Sequence, residues 1–296
     1  MDKFQVLYQL VQQLPEQDGE INAQLKEAIA RNPSRNLMTT MNFPPKVGGT
    51  FLRTALTILL RKNYTATFKR GSYASTNQAR DLYFPSLLHF HFASAQKPFA
   101  VITHNHMIAT RPVTALCELF NIRLVINTRN IFDTLVSLYN HQQKLEAEGK
   151  YIDDALFLQS DQDYSAMTEE ERRWNLINVG TVWYSRFYAS WIKYDNDSKN
   201  TEKQPILWSR YAELVEEPRE LLRKIVTHVD PKHEYSDEEI QAALDESMKH
   251  KASLRFNKGI TGRGDAFFSD DEKEQIRTIM ARRDEHRKVL EKLEIL

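Results

Sequence analysis

The sequence predicts a single α/β domain in which a central parallel sheet is flanked by helices. Continuous apolar runs separated by helical segments are typical of parallel strands that are buried on both faces. Four such runs occur, at 37–43, 99–103, 122–127 and Ile206–Arg210. A loop with two glycines follows the first run and leads directly into an amphipathic helix. No internal repeat, low-complexity tract or flexible linker divides the chain, which favours one domain.

Helical patterns occupy most of the remaining positions. Apolar residues at helical spacing within 4–14 and 21–29 predict an N-terminal helical extension, 1–36, which packs on a domain formed by 37–296. Further helices are expected at 52–60, Ile131–Ala147, 169–193, 237–250 and 270–293, with another that begins at Pro218. The polar stretch that ends at Ser165 predicts a surface loop or lid.

The composition limits the classes of partner. Of the 296 residues, 41% are hydrophobic, and 40 basic residues balance 40 acidic ones. No global field therefore draws the protein to nucleic acid, and any anion site must be built locally. The single cysteine, Cys117, leaves no intramolecular disulfide and favours a reducing compartment.

The sequence also predicts where the protein resides. No segment approaches 18 uninterrupted apolar residues, so no membrane anchor is expected. The first 14 residues include acidic and glutamine side chains and lack a cleavage-site pattern, so a signal peptide is not expected. We therefore expect a cytoplasmic protein.

The loop after the first strand has the chemistry of a phosphate site. A strand–loop–helix junction presents free backbone N–H groups and the positive end of a helix dipole. Gly48 and Gly49 allow close approach of an anion, and Lys46 and Thr50 add a mobile charge and a hydroxyl. A Walker A loop places its lysine after the glycines, so this is a different phosphate loop. The structural alternative is a Gly-Gly turn before a core helix.

A second anion-binding segment follows the third strand. Arg129 stands where that strand ends, and Ser137 comes eight residues later in the next helix. Because ligands collect at the carboxyl ends of strands in open α/β sheets, Arg129 and Lys46 are expected at one edge. A guanidinium suits bidentate phosphate binding. The alternative is an arginine that caps the sheet and a serine on a solvated helix face.

A third segment, 256–262, contains Lys258-Gly259 and a second glycine, Gly262. Such a cationic loop, rich in N–H groups, can close over a phosphate. The Arg-Gly-Asp triplet that follows, 263–265, would suggest adhesion only in a secreted protein.

Taken together, these segments resemble the cytosolic-type sulfotransferases, in the family's order and from 37 to 268. Residues 45–51 resemble the loop that binds the 5′-phosphosulfate, and residues 128–141 resemble the segment that binds the 3′-phosphate. Residues 256–262 resemble the family's closing loop, and Tyr211 matches a tyrosine near the adenine. Two departures occur in the closing loop: the family's arginine is Asn257 here, and Arg263-Gly264 is inserted before Asp265. Arg255 and Arg263 are the candidates for the missing charge.

The resemblance implies a P-loop-like fold and a co-substrate, 3′-phosphoadenosine 5′-phosphosulfate (PAPS). It implies that the nucleotide is held by Lys46, Val47, Gly48, Gly49, Thr50, Phe51, Arg129, Ser137, Tyr211, Asn257, Lys258 and Gly259.

The chemistry needs a base, because the acceptor hydroxyl or amine must lose its proton as it attacks sulfur. Thr103-His104, at the end of the second strand, matches the place of the family's base, so His104 is the candidate and His106 the reserve. Ile102 stands where the family often has a lysine. Lys46 is expected to neutralise the departing phosphate.

Two His-x-His pairs could hold a metal if both lay on strands. The pairs are His89 with His91 and His104 with His106. No third and fourth ligand is evident, so no metal is expected. Packing, or lining of the acceptor pocket, is the preferred interpretation of His89 and His91.

The predicted function is transfer of a sulfuryl group from PAPS to a hydroxyl or amine of a small, partly apolar acceptor, with a homodimer as an option. A nucleotide-dependent kinase is a weaker alternative, because a lysine after the glycines and a magnesium carboxylate are missing. The other alternative is a non-catalytic protein that binds adenosine bisphosphate, because Asn257 and Ile102 stand where the family has an arginine and often a lysine.

Overall fold

The computed structural model describes residues 23–68, 82, 84–149, 164–197, 205–249, 262–281 and 284–296. Five strands form one parallel sheet in the order β2-β3-β1-β4-β5. The strands are β1 (Leu37–Asn42), β2 (Thr65–Phe68), β3 (Phe99–Asn105), β4 (Arg123–Thr128) and β5 (Ile206–Arg210). The predicted fold class, a single α/β domain with a parallel sheet, is confirmed. The four-residue strand β2 was not predicted.

The described helices cover both faces of the sheet. They are α1 (Ala23–Arg31), α2 (Gly49–Leu60), α3 (Phe84–Phe92), α4 (Arg111–Leu119), α5 (Ile131–Ala147), α6 (Glu169–Asn175), α7 (Thr181–Asn196), α8 (Tyr211–Glu216), α9 (Pro218–Val229), α10 (Asp237–Lys249), α11 (Arg263–Phe267), α12 (Asp270–Met280) and α13 (Asp284–Lys292). None of them is long and apolar enough to cross a membrane.

Two apolar clusters hold these helices to the sheet. One includes Leu52 and Leu56 of α2, Ile225 of α9 and Ile240 of α10, all buried. The other is formed by α5, α7 and the C-terminal helices, and Trp191 is its largest fully buried side chain. The sheet is therefore covered on both sides, as continuous apolar strands require.

Two helix predictions need correction. The segment expected as one helix at 169–193 contains a π-helical turn, Leu176–Gly180, between α6 and α7, and it extends to Asn196. The segment expected at 270–293 is two helices, because Ala281 leaves the helical backbone region at φ −134°, ψ 83°. The spacing of apolar residues reveals neither the π-helical turn nor the break, because the apolar face continues through both.

The strand order places a crevice beside β1. β1 pairs with β3 on one side and with β4 on the other, so the chain changes direction across the sheet at this point. In open α/β sheets, ligands bind at the carboxyl ends of the strands at such a switch point. The loop between β1 and α2 begins at that edge. Residues 4–14, the lid stretch up to 163 and Arg255, Asn257, Lys258 and Gly259 lie outside the described residues.

Candidate active site

The loop between β1 and α2 has an unusual backbone. Gly48 caps the N-terminus of α2 at φ 89°, and Lys46 has φ 71°, in the left-handed region that non-glycine residues avoid. A non-glycine residue held there costs on the order of 1 kcal/mol, and such strain persists only where the surroundings impose it. The first N–H groups of α2, from Gly49 onward, have no partner within the helix, as in any helix.

Three consecutive backbone carbonyls of this loop accept hydrogen bonds from side chains of other elements. Tyr184 Oη donates to Pro45 at 2.9 Å, Arg129 Nη1 donates to Lys46 at 2.8 Å, and Asn127 Nδ2 donates to Val47 at 2.5 Å. Carbonyl oxygens repel an anion, and here they are engaged by protein donors. This arrangement imposes the strained backbone and prepares the loop for a phosphate.

Glycine is required at two positions of the loop by close packing. A Cβ atom on Gly48 would lie 2.5 Å from Leu214 Cδ2 and 3.3 Å from Tyr211 Cε2. A Cβ atom on Gly49 would lie 2.6 Å from His104 Nε2. The His104 imidazole therefore lies directly against the start of α2.

Two histidines come together at the end of β3. The ring centres of His104 and His106 are 5.2 Å apart, and the two rings are nearly perpendicular. The ring centre of Trp183 lies 6.5 Å from that of His106. The Nδ1 atom of His106 is hydrogen-bonded to the Phe43 carbonyl at the start of the loop. Asn42 fixes Met107 with two hydrogen bonds. The Asn42 side chain accepts from the Met107 N–H at 2.8 Å and donates to the Met107 carbonyl at 3.1 Å. His104, which the sequence predicts to be the base, lies beside the loop between β1 and α2.

Arg129 is the buried cation of the site. It is 6% exposed, its guanidinium carbon lies 4.1 Å from the centre of the Tyr211 ring, and its Nε atom is buried without a hydrogen-bond partner among the described residues. Burial lowers the pKa of this guanidinium, against the attraction of Tyr211 and Asp133. A buried cation that carries an unused donor is suited to an incoming anion.

The helix after Arg129 starts at a side-chain cap. Asn130 Oδ1 accepts from the N–H groups of Phe132 and Asp133, at 3.0 and 3.2 Å. The predicted boundaries of this helix, Ile131–Ala147, match the structure. Ser137 is buried in its second turn.

A cleft of about 330 Å³ opens at the carboxyl ends of β4 and β5. Its lining includes Thr128, Arg129, Asn130, Asp133, Arg210, Tyr211, Gly262, Asp265, Glu291 and Glu294. Glu294 is paired with Arg210. The cleft thus carries cationic and anionic groups side by side next to Arg129.

A family model described as Sulfotransferase domain matches residues 6–286, which is most of the chain. The chain belongs to the sulfotransferase domain family. The predicted function, sulfuryl transfer, is thereby confirmed for this enzyme.

A solved sulfotransferase structure shares its fold. Mouse sulfotransferase SULT7A1, solved in complex with PAP, is 16% identical, and the match covers 92% of this chain and 94% of the mouse chain with a TM-score of 0.53. Retinol dehydratase, solved with retinol and PAP, is 12% identical over 85% of this chain and 82% of its own, with a TM-score of 0.47. A sulfotransferase from Alicyclobacillus acidocaldarius is 14% identical over 76% and 97%, with a TM-score of 0.36. No curated protein sequence matches significantly.

The structure brings together most of the predicted site residues of the sulfotransferase. Lys46, Val47, Gly48, Gly49, Thr50, Arg129, Tyr211 and His104 meet at one edge of the sheet. Phe51 is 5% exposed and packs in the apolar cluster beneath α2. Asn257, Lys258 and Gly259 lie outside the described residues.

A metal site at His89 and His91 required both residues to lie on a strand, and this assumption is wrong. His89 and His91 lie on the helix α3, where residues two apart point in different directions. His91 Nε2 is hydrogen-bonded to the Asn32 carbonyl at 2.8 Å, and burial lowers the pKa of the imidazole. Among the described residues, no group of three or more His, Cys, Asp or Glu side chains could hold a metal ion.

Sequence reasoning missed the residues that support the phosphate loop from below. Asn127 and Ser209 are fully buried, they face each other across β4 and β5, and Ser209 Oγ donates to Asn127 Oδ1 at 2.9 Å. Both are polar residues within otherwise apolar strands, and that signal could have identified them. Tyr184 gave no such signal, because an aromatic residue at helical spacing is usually a core residue.

Proposed function

We propose that this sulfotransferase takes its sulfuryl group from PAPS and passes it to a hydroxyl or amine of a small, partly apolar acceptor. The observation that carries the proposal is the hydrogen bond from Arg129 Nη1 to the Lys46 carbonyl, at 2.8 Å. It supports the proposal because it joins the two segments that resemble the 5′-phosphosulfate and 3′-phosphate sites. The mouse relative was solved in complex with PAP, the bisphosphate product of such a donor.

The residues present suit a doubly phosphorylated nucleotide. The N–H groups at the start of α2 and the side chains of Lys46 and Thr50 would bind the 5′-phosphosulfate. Arg129 and Ser137 would bind the 3′-phosphate. Tyr211, which contacts both Arg129 and Gly48, would lie near the adenine. Asn257, Lys258 and Gly259 would close over the nucleotide.

His104 is the proposed general base. Its Nε2 atom lies against Gly49, at the end of the loop and the start of α2, where the sulfuryl group would be held. It would take the proton from the acceptor oxygen or nitrogen as that atom forms a bond to sulfur. The bond from sulfur to the phosphate oxygen breaks at the same time, and Lys46 would neutralise the charge that develops on this oxygen. No metal enters this scheme.

Radiolabelled transfer from PAPS to an acceptor library tests the proposal and identifies the acceptor. Lys46→Ala and His104→Ala are each expected to reduce the rate by roughly two orders of magnitude or more, at unchanged fold. Lys144→Ala and His286→Ala, at exposed positions away from the loop, are the matched controls. Full activity in both site variants would refute the assigned roles. Binding of PAPS without transfer to any acceptor would favour the non-catalytic alternative.

Three properties of the whole protein stay predictions from the sequence: a cytoplasmic location, an N-terminal extension at 1–36 and the option of a homodimer. Cellular fractionation, deletion of residues 1–22 and light scattering would test them separately.

A further inference from the structure

The turn that carries Arg129 is held on both sides by the segment that follows α13. The Thr128 hydroxyl, one residue before Arg129, donates to the Leu293 carbonyl at 2.8 Å. The Ile131 N–H, two residues after Arg129, donates to the Ile295 carbonyl at 2.8 Å. Thr128 and Ile131 are buried, so loss of either bond would leave a buried donor unsatisfied. The backbone position of Arg129 therefore depends on this segment.

The segment reaches this position through the way in which α13 ends. The Ile295 N–H donates to the Leu290 carbonyl and the Glu294 N–H donates to the Glu291 carbonyl, both at 2.9 Å, which is the Schellman motif of helix C-termini. Leu290 and Ile295 are buried in one apolar cluster, as is usual for this motif. The motif needs one residue in the left-handed backbone region, where helices usually have glycine, and here that residue is Glu294 at φ 56°. The chain thus has a glutamate where a glycine would be less strained.

The Glu294 side chain forms an ion pair with Arg210. Arg210 ends β5 directly before Tyr211, and its guanidinium also lies 3.8 Å from the Glu213 carboxylate in α8. Both members of the Glu294 pair are about half exposed, and ion pairs of this kind add little to stability. Stability therefore does not account for a strained glutamate, and residues that keep such strain are concentrated at ligand sites. Glu294 and Arg210 both line the cleft beside Arg129.

We propose that Glu294 is a positioning residue of the nucleotide site. The carbonyls on either side of it hold the turn that carries Arg129, and its carboxylate holds Arg210, the residue before Tyr211. The Arg129 guanidinium lies over the Tyr211 ring at 4.1 Å, so Glu294 joins the two elements that carry this contact. The inference rests on the proposed function, in which Arg129 would bind the 3′-phosphate and Tyr211 would lie near the adenine.

Calorimetric titration of the full-length protein with two nucleotides, combined with thermal unfolding, tests this role. Adenosine 3′,5′-bisphosphate carries the 3′-phosphate that Arg129 would bind, and adenosine 5′-monophosphate lacks it. Glu294→Gly removes the carboxylate and relieves the backbone strain, so the unfolding temperature should not fall. The affinity for the bisphosphate should fall about threefold to thirtyfold, as expected for a residue that acts on a site without contact to the ligand. The affinity for the monophosphate should fall less.

Glu294→Gln separates the charge from the backbone. This variant keeps a side chain in the left-handed region and loses only the negative charge, so it should show the same reduced preference for the bisphosphate. If the ion pair carries the effect, the double variant Glu294→Gln with Arg210→Gln should bind the bisphosphate no more weakly than Arg210→Gln alone. Additive losses would contradict an action of Glu294 through Arg210.

Asn121→Gly is the matched control. Asn121 also has a left-handed backbone, at φ 50°, and it is exposed between α4 and β4. It precedes β4, whereas the cleft opens at the carboxyl end of that strand. We expect no change in either affinity.

The possible outcomes are distinguishable. Equal weakening of both nucleotides by Glu294→Gly, or no weakening of either, would overturn the role of Glu294 and leave the proposed function intact. If the unmodified protein binds the bisphosphate no better than the monophosphate, the proposed function fails first. Should Glu294→Gly unfold at a lower temperature or not fold, the same comparison with Glu294→Gln decides between these outcomes.

Discussion

Arg129 Nη1 donates a hydrogen bond of 2.8 Å to the carbonyl oxygen of Lys46, across 83 positions of sequence. The bond joins the phosphate loop after β1 to the segment after β4. Because Lys46 has a strained backbone, the contact also helps to impose the loop conformation. Arg129 therefore orients the loop, and in the proposed function it would also bind the second phosphate.

Gly49→Ala should reduce kcat/KM by at least about tenfold. The added Cβ atom would lie 2.6 Å from His104 Nε2 and 2.8 Å from Phe43 Cδ2, so the imidazole must move away from the loop. Overpacking of this kind costs about 1–3 kcal/mol. Initial rates and thermal unfolding should be measured together. Gly149→Ala is the control for destabilisation without this clash: a Cβ atom there meets nothing within 4 Å, but the φ of 61° strains the backbone of an alanine. It should lower the unfolding temperature and leave kcat/KM unchanged. Wild-type kcat/KM in Gly49→Ala would mean that the close contact does not matter for catalysis.

A double-mutant cycle on Asn127 and Ser209 should show strong coupling. Asn127→Leu removes the donor to the Val47 carbonyl, and Ser209→Ala removes the donor to Asn127 Oδ1. Each change leaves a buried polar group unsatisfied, so KM for PAPS should rise in both variants, more in Asn127→Leu. Because the side chains contact each other, the coupling energy should reach about 0.5–3 kcal/mol. Strictly additive effects on KM and on the free energy of unfolding would contradict the pairing.

Asp133→Asn should loosen the segment around Arg263. The carboxylate accepts from two amides, and an Asn side chain has a single acceptor oxygen for them. Hydrogen exchange at the amides of Gly262 and Gly264 should accelerate, and affinity for adenosine 3′,5′-bisphosphate should fall. Asp271→Asn, at an exposed position in α12, is the control. Unchanged exchange at both glycines would show that Asp133 does not anchor them.

The free energy of unfolding should decrease as the pH falls from 7.5 to 5. Burial lowers the pKa of His91, and burial together with the charge of Arg123 lowers the pKa of His228. Below the ordinary imidazole pKa of about 6.5, the unfolded chain binds protons that the folded chain resists, so stability is lost. Each histidine contributes at most about 1.4 kcal/mol per pH unit.

Urea unfolding at several pH values checks this prediction. His91→Gln and His228→Gln should each flatten the decline, and the exposed His286→Gln should not. A decline of equal slope in all three variants would assign the effect to other groups.

The sheet was predictable because most of its strands have a clear sequence pattern. Apolar runs at β1, β3, β4 and β5 are continuous, and the cap at Asn130 fixes where α5 begins. β2 was missed, since a strand of four residues carries too little pattern. The π-helical turn and the break at Ala281 were missed because the apolar face continues through them.

The candidate site was predictable in part for the same reason. Parallel strands bring their carboxyl ends to one edge, so residues after β1, β3 and β4 had to meet there. The supports of the loop were not predictable in detail. Tyr184 and Asn127 bond to backbone carbonyls, and every residue has a carbonyl, so no pattern in the sequence specifies which one they reach.

The central claim is that the Lys46 loop and Arg129 bind opposite ends of one adenosine bisphosphate. Calorimetric titration of adenosine 3′,5′-bisphosphate into the unmodified protein and into Arg129→Ala tests it without knowledge of the acceptor, with ATP and magnesium as the competing nucleotide. We predict binding of the bisphosphate in preference to ATP, weakened at least about tenfold in a folded Arg129→Ala variant. Equal affinity of the two proteins for the bisphosphate, or tighter binding of ATP with magnesium, would contradict the account.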